Sequence, residues 1–199
     1  MTTTDNSAIF DYHRSMIAFH GNHGPAALGW RDKESQLVRF QVLAQIANLE
    51  DCSVLDAGCG HGDLFSYLQS LYTKFTYVGV EQIPELLDEA KKRYGNFRDC
   101  TFLAGDFISE ELPITDYVLA SGSLNYVQQD HDFVFKAIAG LFKNCRIGLC
   151  FNLLRYIIPN GLLAAYDPQT ILVYCKSLSD KVQMCLDYSE EDFTIFMYH

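Results

Sequence analysis

Residues 53–65, SVLDAGCGHGDLF, decide the fold of this chain. The apolar start of the stretch predicts a short buried strand that ends at Asp56. Glycines at 58, 60 and 62 then remove the side chains from a turn, so that its backbone can closely approach a ligand. Because a helical pattern begins near residue 63, the stretch predicts a strand, a ligand-binding turn and a helix.

The rest of the chain continues this alternation of strands and helices. Apolar strands are predicted at 53–57, 76–81, 101–106, 115–121, 146–152, 181–188 and 192–198, with helices near 63–71, 84–94, 131–142 and 168–178. Continuous apolar strands that alternate with helices indicate a parallel sheet covered on both faces. The link between the last two strands is too short for a parallel crossover. We therefore expect an α/β, Rossmann-like, doubly wound, seven-stranded and mostly parallel sheet with an antiparallel C-terminal hairpin strand.

Two regions outside this alternation are candidates to cover a site. Residues 1–50 are expected to form a helical cap, with a loop or broken helical segment over 12–31 and a helix over 32–49, in front of a core at 51–199. Together they are expected to form one compact domain. Residues 152–166 carry a Pro-Asn-Gly turn signal and predict either a lid that presents Arg155 and Tyr156 or a helix packed on the sheet.

Composition narrows the classes of partner. The 199 residues include 25 acidic and 15 basic ones, a formal charge of −10 that disfavours long nucleic acid. Seven cysteines without a C-x-x-C pair indicate reduced thiols in a cytoplasmic protein and no zinc site. We expect no membrane insertion, because no uncharged apolar stretch approaches spanning length.

The spacing of the glycines and the acids around them restrict the ligand. The dinucleotide pattern G-x-G-x-x-G is absent, since Asp63 stands where its third glycine would fall. Asp56 would repel a pyrophosphate and attract a cation, which disfavours a nicotinamide oxidoreductase. Glu81 ends the second strand, where an acid can hold both hydroxyls of a ribose. The site is thus expected to bind an adenosine-like sugar joined to a cationic group.

These motifs resemble the class I S-adenosylmethionine-dependent methyltransferases. VLDAGCGHGD is similar to the first motif of that family, VGVEQIPELLDEAKKRY to the second and FLAGDF to the third. The resemblance covers roughly residues 51–199 and implies S-adenosyl-L-methionine as the cofactor and S-adenosyl-L-homocysteine as the product. The segment GWRDKESQLVRF also resembles one found before the first strand in some bacterial methyltransferases of unassigned substrate.

The resemblance implies a role for each matched position. It assigns Asp56 to the methionine amino group, the Gly58, Cys59 and Gly60 backbone to the methionine part, Glu81 to the ribose, Gln82 and Ile83 to the adenine side, Gly105, Asp106 and Phe107 to the adenine edge, and Ser121 to the sulfonium end. Trp30 is either a cover for the cofactor or an ordinary core residue. Gln36 and Arg39, one helical turn apart, either reach the methionine carboxylate or lie on a solvated helix face.

The acceptor of the methyl group is less well defined. His13, His20, His23 and Tyr126 are candidate catalytic residues, since a histidine with a near-neutral pKa suits a general base. The histidine spacing does not predict a metal site, and capping or surface roles are the alternative.

We expect methyl transfer to a small-molecule acceptor by in-line displacement. The alternatives are a methyltransferase of a protein or RNA target, for which only Lys91, Lys92, Arg93 and Arg98 concentrate positive charge, and a non-catalytic cofactor-binding or partner subunit.

Overall fold

A seven-stranded mixed sheet forms the centre of this computed structural model, which describes residues 7–109, 111–158 and 161–199. The strands are Ser53–Ala57 (β1), Thr76–Glu81 (β2), Cys100–Ala104 (β3), Thr115–Ala120 (β4), Cys145–Leu154 (β5), Lys181–Cys185 (β6) and Asp192–Tyr198 (β7). Their order is β3-β2-β1-β4-β5-β7-β6. Strands β1 to β5 pair in parallel, whereas β7 runs antiparallel to both β5 and β6. The predicted fold class is confirmed.

Helices cover both faces of the sheet. They are Ser7–His20 (α1), Lys33–Leu43 (α2), Asp63–Gln69 (α3), Pro84–Tyr94 (α4), Phe133–Lys143 (α5) and Pro168–Leu178 (α6), with 3-10 turns at Pro25–Leu28 and Ala44–Ile46. Neighbouring β1 residues point to opposite faces, so Val54 packs in a core with α2, α3 and α4, while Leu55 packs in a second core with α5 and α6. This double cover explains why the parallel strands are continuously apolar.

The cap region is more helical than its sequence pattern indicates. The prediction of a loop or broken helical segment over 12–31 is wrong for its first part, because α1 runs without interruption to His20. The break follows at residues 21–24, where Gly21 and Gly24 have φ angles of 79° and 76°. Only Ile9 and His13 of α1 are buried, too few to give a helical period. Residues 1–6 of the predicted cap lie outside the described residues.

The helix expected over 32–49 is shorter than predicted. Asp32 caps it by accepting a hydrogen bond from the Ser35 amide at 2.6 Å. The Asp32 amide in turn donates a hydrogen bond to the Ser35 hydroxyl oxygen. The α-helix ends at Leu43 and tightens into a 3-10 turn over 44–46.

The segment after β5 is not a helix in its described part. Residues 155–158 and 161–167 follow an irregular path that is joined to the loop after β4 by a bridge between Tyr126 and Leu163. The packed-helix alternative is therefore wrong for these residues. The Pro159 and Asn160 of the turn signal lie outside the described residues. No helix in the described ranges is long and apolar enough to cross a bilayer.

Candidate active site

A cavity of about 460 Å³ opens at the carboxyl ends of the parallel strands. Its volume lies in the range of small-molecule sites, and its position is the one that open α/β sheets use for ligands. The cavity is lined by every predicted cofactor residue except Gly105, that is by Trp30, Gln36, Arg39, Asp56, Gly58, Cys59, Gly60, Glu81, Gln82, Ile83, Asp106, Phe107 and Ser121. The Gly105 amide instead donates to the Glu81 carbonyl oxygen at 3.1 Å and so holds the strand ends together.

The glycine turn after β1 forms the floor of the cavity. Gly58 and Gly60 have φ angles of 81° and 53°, the left-handed region that glycine tolerates best. The Gly58 amide donates to the Val80 carbonyl oxygen at 2.9 Å, which draws the turn toward β2. A Cβ atom at Gly58 would lie 2.5 Å from Cβ of Ser123. The turn thus depends on glycine for its backbone angles and for its close contact with the loop after β4.

Two buried carboxyl groups at strand ends face this floor. The Tyr77 hydroxyl donates to Oδ2 of Asp56 at 2.5 Å, yet burial raises the pKa of Asp56 to about 7. The Glu81 carboxylate accepts one backbone N–H on each oxygen, from Gly60 and from Ile83, both at 2.9 Å. Burial raises the pKa of Glu81, and backbone hydrogen bonds from Ile83, Gly60 and Gln82 oppose the rise. A carboxylate has about four acceptor sites, so Glu81 can still accept a hydrogen bond from a ligand.

Asp106 follows β3 at the same edge of the sheet. Its Oδ1 accepts a hydrogen bond from the Ile108 amide at 3.0 Å, which fixes the side chain at the start of the loop. Phe107 also lines the cavity, and a Cβ atom at Gly58 would lie 3.4 Å from its ring. An acid and an aromatic ring therefore stand together where the resemblance expects the adenine.

The charges around the cavity are mostly negative. The described lining residues include six acids, Asp56, Asp63, Glu81, Asp106, Glu191 and Asp192, and two arginines, Arg31 and Arg39. No lysine is found among the described lining residues. Such a surface favours a ligand with positive charge and disfavours phosphates.

The N-terminal region covers the cavity from above. Leu28 lies over the glycine turn, with its Cδ2 2.8 Å from the place a Cβ would take at Gly60. The Trp30 ring likewise lies 2.8 Å from the Cβ position of Gly122. On α1, Ile9 packs with Ile83. These contacts make α1 and residues 25–30 one wall of the site.

Of the four catalytic candidates, His13 and Tyr126 line the cavity and contact each other. Nε2 of His13 lies 2.7 Å from the Tyr126 hydroxyl oxygen. Burial lowers the pKa of His13 to about 4 and raises that of Tyr126, so both side chains are uncharged at neutral pH. His20 and His23 are exposed and do not line the cavity. Across the described ranges, no group of three His, Cys, Asp or Glu side chains is arranged to hold a metal ion.

Sequence reasoning missed a contact that ties the cap to the glycine turn. His61, inside the turn, is fully buried, and its Nε2 lies 2.8 Å from Oδ1 of Asn22. Nδ2 of Asn22 donates to the Glu85 carbonyl oxygen at 2.7 Å, and the Glu85 carboxylate pairs with Arg14 at 2.9 Å. Burial lowers the pKa of His61. Its place between two glycines of the motif was the available signal.

Gln36 and Arg39 both line the cavity and already have acidic partners. Nε2 of Gln36 donates to Oδ2 of Asp63 at 3.2 Å. The Arg39 guanidinium lies 4.9 Å from the centre of the Trp30 ring and forms a buried ion pair with Asp192. Both side chains are buried, so the solvated-face alternative is wrong for Gln36 and for Arg39. Sequence reasoning missed Asp192, although an acid that begins an apolar strand is itself unusual.

The opposite end of the cavity is apolar. Leu154, Tyr156, Ile157, Ile158 and Leu163 line it, and Tyr156 and Ile158 are largely exposed at its rim. Asn125 holds this end together, since its Oδ1 accepts from the Leu154 amide and its carbonyl oxygen from the Ala164 amide. Arg155 turns away and donates to the carbonyl oxygens of Ser189 and Glu190. Of the two residues expected to face a substrate, only Tyr156 lines the cavity.

Comparisons with known proteins agree with this architecture. A family model described as a methyltransferase domain matches residues 54–144. A Mycobacterium tuberculosis protein named as a candidate methyltransferase, Rv1506c, is 30% identical over 164 residues, which cover 77% of this chain and 97% of that protein. A fatty-acid O-methyltransferase of Mycolicibacterium smegmatis is 31% identical over 77 residues, which cover 39% of this chain and 27% of that enzyme.

A solved structure shares the fold over the whole chain. It is the magnesium protoporphyrin IX methyltransferase of Synechocystis PCC 6803 with bound S-adenosylhomocysteine. The TM-score is 0.74 at 15% identity, and the match covers 98% of this chain and 100% of that chain. At this identity the likeness is one of fold.

Proposed function

The chain belongs to the class I S-adenosylmethionine-dependent methyltransferases, and we propose that it transfers a methyl group to a small-molecule acceptor by in-line displacement. One observation carries the proposal. A single cavity combines an acid-rich end beside β1, β2 and β3 with an apolar end beside the loops after β4 and β5. The first end suits a cationic nucleoside and the second a small apolar acceptor.

The residues present fit the cofactor. Glu81 has acceptor capacity left for the ribose, and Asp106 and Phe107 would hold the adenine. The cradle at Gly58 has no room for a side chain, as the methionine part requires. Bound S-adenosylmethionine supplies an electrophilic methyl group on a positively charged sulfur.

The role of this chain in the reaction is to align the acceptor and exclude water. In-line displacement gains most from orientation of the two reacting atoms, so few protein groups are obligatory. Leu28 covers the glycine turn, Trp30 lies against Gly122 in the loop after β4, and the apolar rim at 156–158 would close around the acceptor. We assign residues 1–50 to this cap and residues 51–199 to the cofactor-binding core.

The small-molecule acceptor is favoured over an RNA because positive charge does not gather at the mouth. Arg93 is paired with Asp63 and Glu89, and Lys92 with Glu89, all away from the apolar end. All seven cysteines are free thiols, which supports a cytoplasmic site of action.

The test is a calorimetric titration of the purified protein with S-adenosylhomocysteine, with NADH as the control ligand. We expect micromolar binding of the former alone. Binding of NADH alone, or of neither ligand, would contradict the proposed cofactor. Cofactor binding without transfer to any acceptor would instead indicate a non-catalytic binding subunit.

A further inference from the structure

The buried ion pair of Arg39 and Asp192 has unused hydrogen-bonding capacity. The side chains of Arg39 and Asp192 are 7% and 1% exposed. Oδ2 of Asp192 accepts from Arg39 and from the Ser189 hydroxyl, the latter at 3.2 Å. Oδ1 of Asp192 and Nε of Arg39 have no hydrogen-bond partner within the described part of the chain. Buried donors and acceptors are rarely left open, so each open atom calls for an explanation.

This pair lies at the acceptor end of the cavity. Asp192 begins β7 and is in register with Leu154, the last residue of β5. Since β5 separates β7 from β4, Asp192 is two strand spacings, about 10 Å, from the strand that leads to Ser121. The adenosine residues lie on the other side of β4, at β1, β2 and β3. Both Arg39 and Asp192 line the cavity, as does Trp30, on which Arg39 stacks.

The two atoms without a hydrogen-bond partner, Oδ1 of Asp192 and Nε of Arg39, select one kind of polar group. Oδ1 of Asp192 needs a donor, and Nε of Arg39 needs an acceptor. A hydroxyl is both at once. A carboxylate has no proton for Asp192 and adds negative charge beside it, whereas an ammonium has no lone pair for Arg39.

We propose, on the basis of the methyltransferase function above, that the acceptor is an uncharged apolar hydroxy compound whose hydroxyl is bound and deprotonated by Asp192. The hydroxyl donates to Oδ1 of Asp192 and accepts from Nε of Arg39, while its apolar body contacts Tyr156 and the residues around it. The acceptor oxygen forms a bond to the methyl carbon as the bond between that carbon and the sulfonium sulfur breaks. The electron pair of the broken bond stays on sulfur, and the hydroxyl proton passes to Asp192.

The surroundings of Asp192 suit a proton acceptor. Burial raises its pKa, and the guanidinium of Arg39 is the main opposing influence. The other groups that face it are Glu191, the Ser189 hydroxyl and the Tyr188 phenol. A carboxylate with a raised pKa takes a proton more readily near neutral pH and still requires ionisation to act as a base.

The experiment compares acceptors that differ in their polar group alone. The probes are 4-ethylbenzyl alcohol, 4-ethylbenzylamine and 4-ethylbenzoate, together with 1-octanol, octylamine and octanoate, and the readout is S-adenosylhomocysteine formed, measured by mass spectrometry. We expect turnover in the hydroxyl arm. Turnover of the amines or carboxylates in its place, or of no hydroxy compound by protein that binds S-adenosylhomocysteine, would overturn the proposal.

Variants then connect the activity to Asp192. Asp192→Asn is expected to lower kcat/KM for the hydroxy probe by about 10²- to 10⁴-fold and to remove the acidic limb of its pH profile. Asp187→Asn, the same change at an exposed position of the same hairpin, is the control and is expected to match wild type. Equal activity in Asp192→Asn and wild type would refute the assignment.

Two further measurements separate the outcomes. The affinity of Asp192→Asn for S-adenosylhomocysteine is expected to stay within threefold of wild type. If the wild type itself does not bind S-adenosylhomocysteine, that result counts against the proposed function and not against the role of Asp192. If Asp192→Asn does not fold, Arg39→Lys serves, because it keeps the charge opposite Asp192 and removes Nε. Its KM for the hydroxy probe is expected to rise more than its kcat falls, and an unchanged KM would contradict the binding geometry.

Discussion

Replacing Glu81 by alanine tests the assignment of the ribose site most directly. The carboxylate lies at the end of β2, is 6% exposed, and accepts the amides of Gly60 and Ile83. Carboxylate oxygens can accept further hydrogen bonds, and we expect the ribose hydroxyls to donate them. The variant removes these bonds to the ligand and leaves the backbone N–H groups without their acceptor.

The expected loss of affinity follows from these contacts. Two hydrogen bonds to a charged acceptor, less the solvation that the free hydroxyls recover, correspond to about 1 to 3 kcal/mol of binding free energy. The dissociation constant of S-adenosylhomocysteine should therefore rise about 5- to 150-fold. The free energy of unfolding should also fall, by about 2 kcal/mol, because the two amides lose a buried partner.

Calorimetric titration of wild type and variant measures the affinity, and urea unfolding measures the stability. Asp88→Ala is the matched control, since it removes one carboxylate from the exposed face of α4 outside the cavity. If the affinity of Glu81→Ala equals that of Asp88→Ala while both remain folded, the ribose lies elsewhere and the assignment is refuted.

Three further changes test the turn and the buried titratable groups. Gly58→Ala should lower the free energy of unfolding by more than Gly24→Ala, because both glycines have positive φ but only Gly58 lacks space for a Cβ. The Gly24→Ala change is expected to cost about 1 to 2 kcal/mol. Equal losses in urea unfolding would contradict the close contact at Gly58. Asp56→Asn should stabilise the fold by about 2 to 4 kcal/mol at pH 8 and hardly at pH 4. The pKa of Asp56 is about 7 in the folded state and 3.8 ordinarily, so the stability of the wild type is lost as the pH rises between these values. The free energy of unfolding of the wild type should fall by about 3 kcal/mol as pH falls from 6.5 to 4, because only the unfolded chain binds a proton at His13 in this range. His13→Gln should flatten this loss. An unchanged slope would show that His13 is not buried in its neutral form.

The strand and helix assignments of the core could be made from sequence because each depends on local pattern. The strands at 53–57, 76–81 and 192–198 and the helices at 84–94 and 168–178 have the predicted bounds. Strands that are covered on both faces are apolar at successive positions, and such runs are easy to recognise in a sequence. Pro84 marks the start of α4. The cap gave no such signal, because α1 buries a histidine and one isoleucine along fourteen residues.

The cofactor end of the candidate site could likewise be predicted from the sequence. Asp56, the glycines, Glu81 and Asp106 each stand at the end of a strand, and the carboxyl ends of parallel strands meet at one edge of a sheet. Local position along the chain was enough to group them. The contacts of Arg39 with Asp192, of His61 with Asn22 and of His13 with Tyr126 could not be read in this way, since they join residues 153, 39 and 113 positions apart.

The sequence by itself determined the strands of the sheet, the helices of the core, and an acid-rich turn suited to a cationic nucleoside, because hydrophobic period and glycine spacing act over a few residues. Only the tertiary structure decided which side chains face each other across the cavity. It buried His13 and so lowered its pKa, turned Arg155 away from the cavity, and paired Arg39 with Asp192 at the acceptor end. Burial and long-range pairing depend on how α1, α2 and β7 pack together in space, and no local pattern in the chain carries that information.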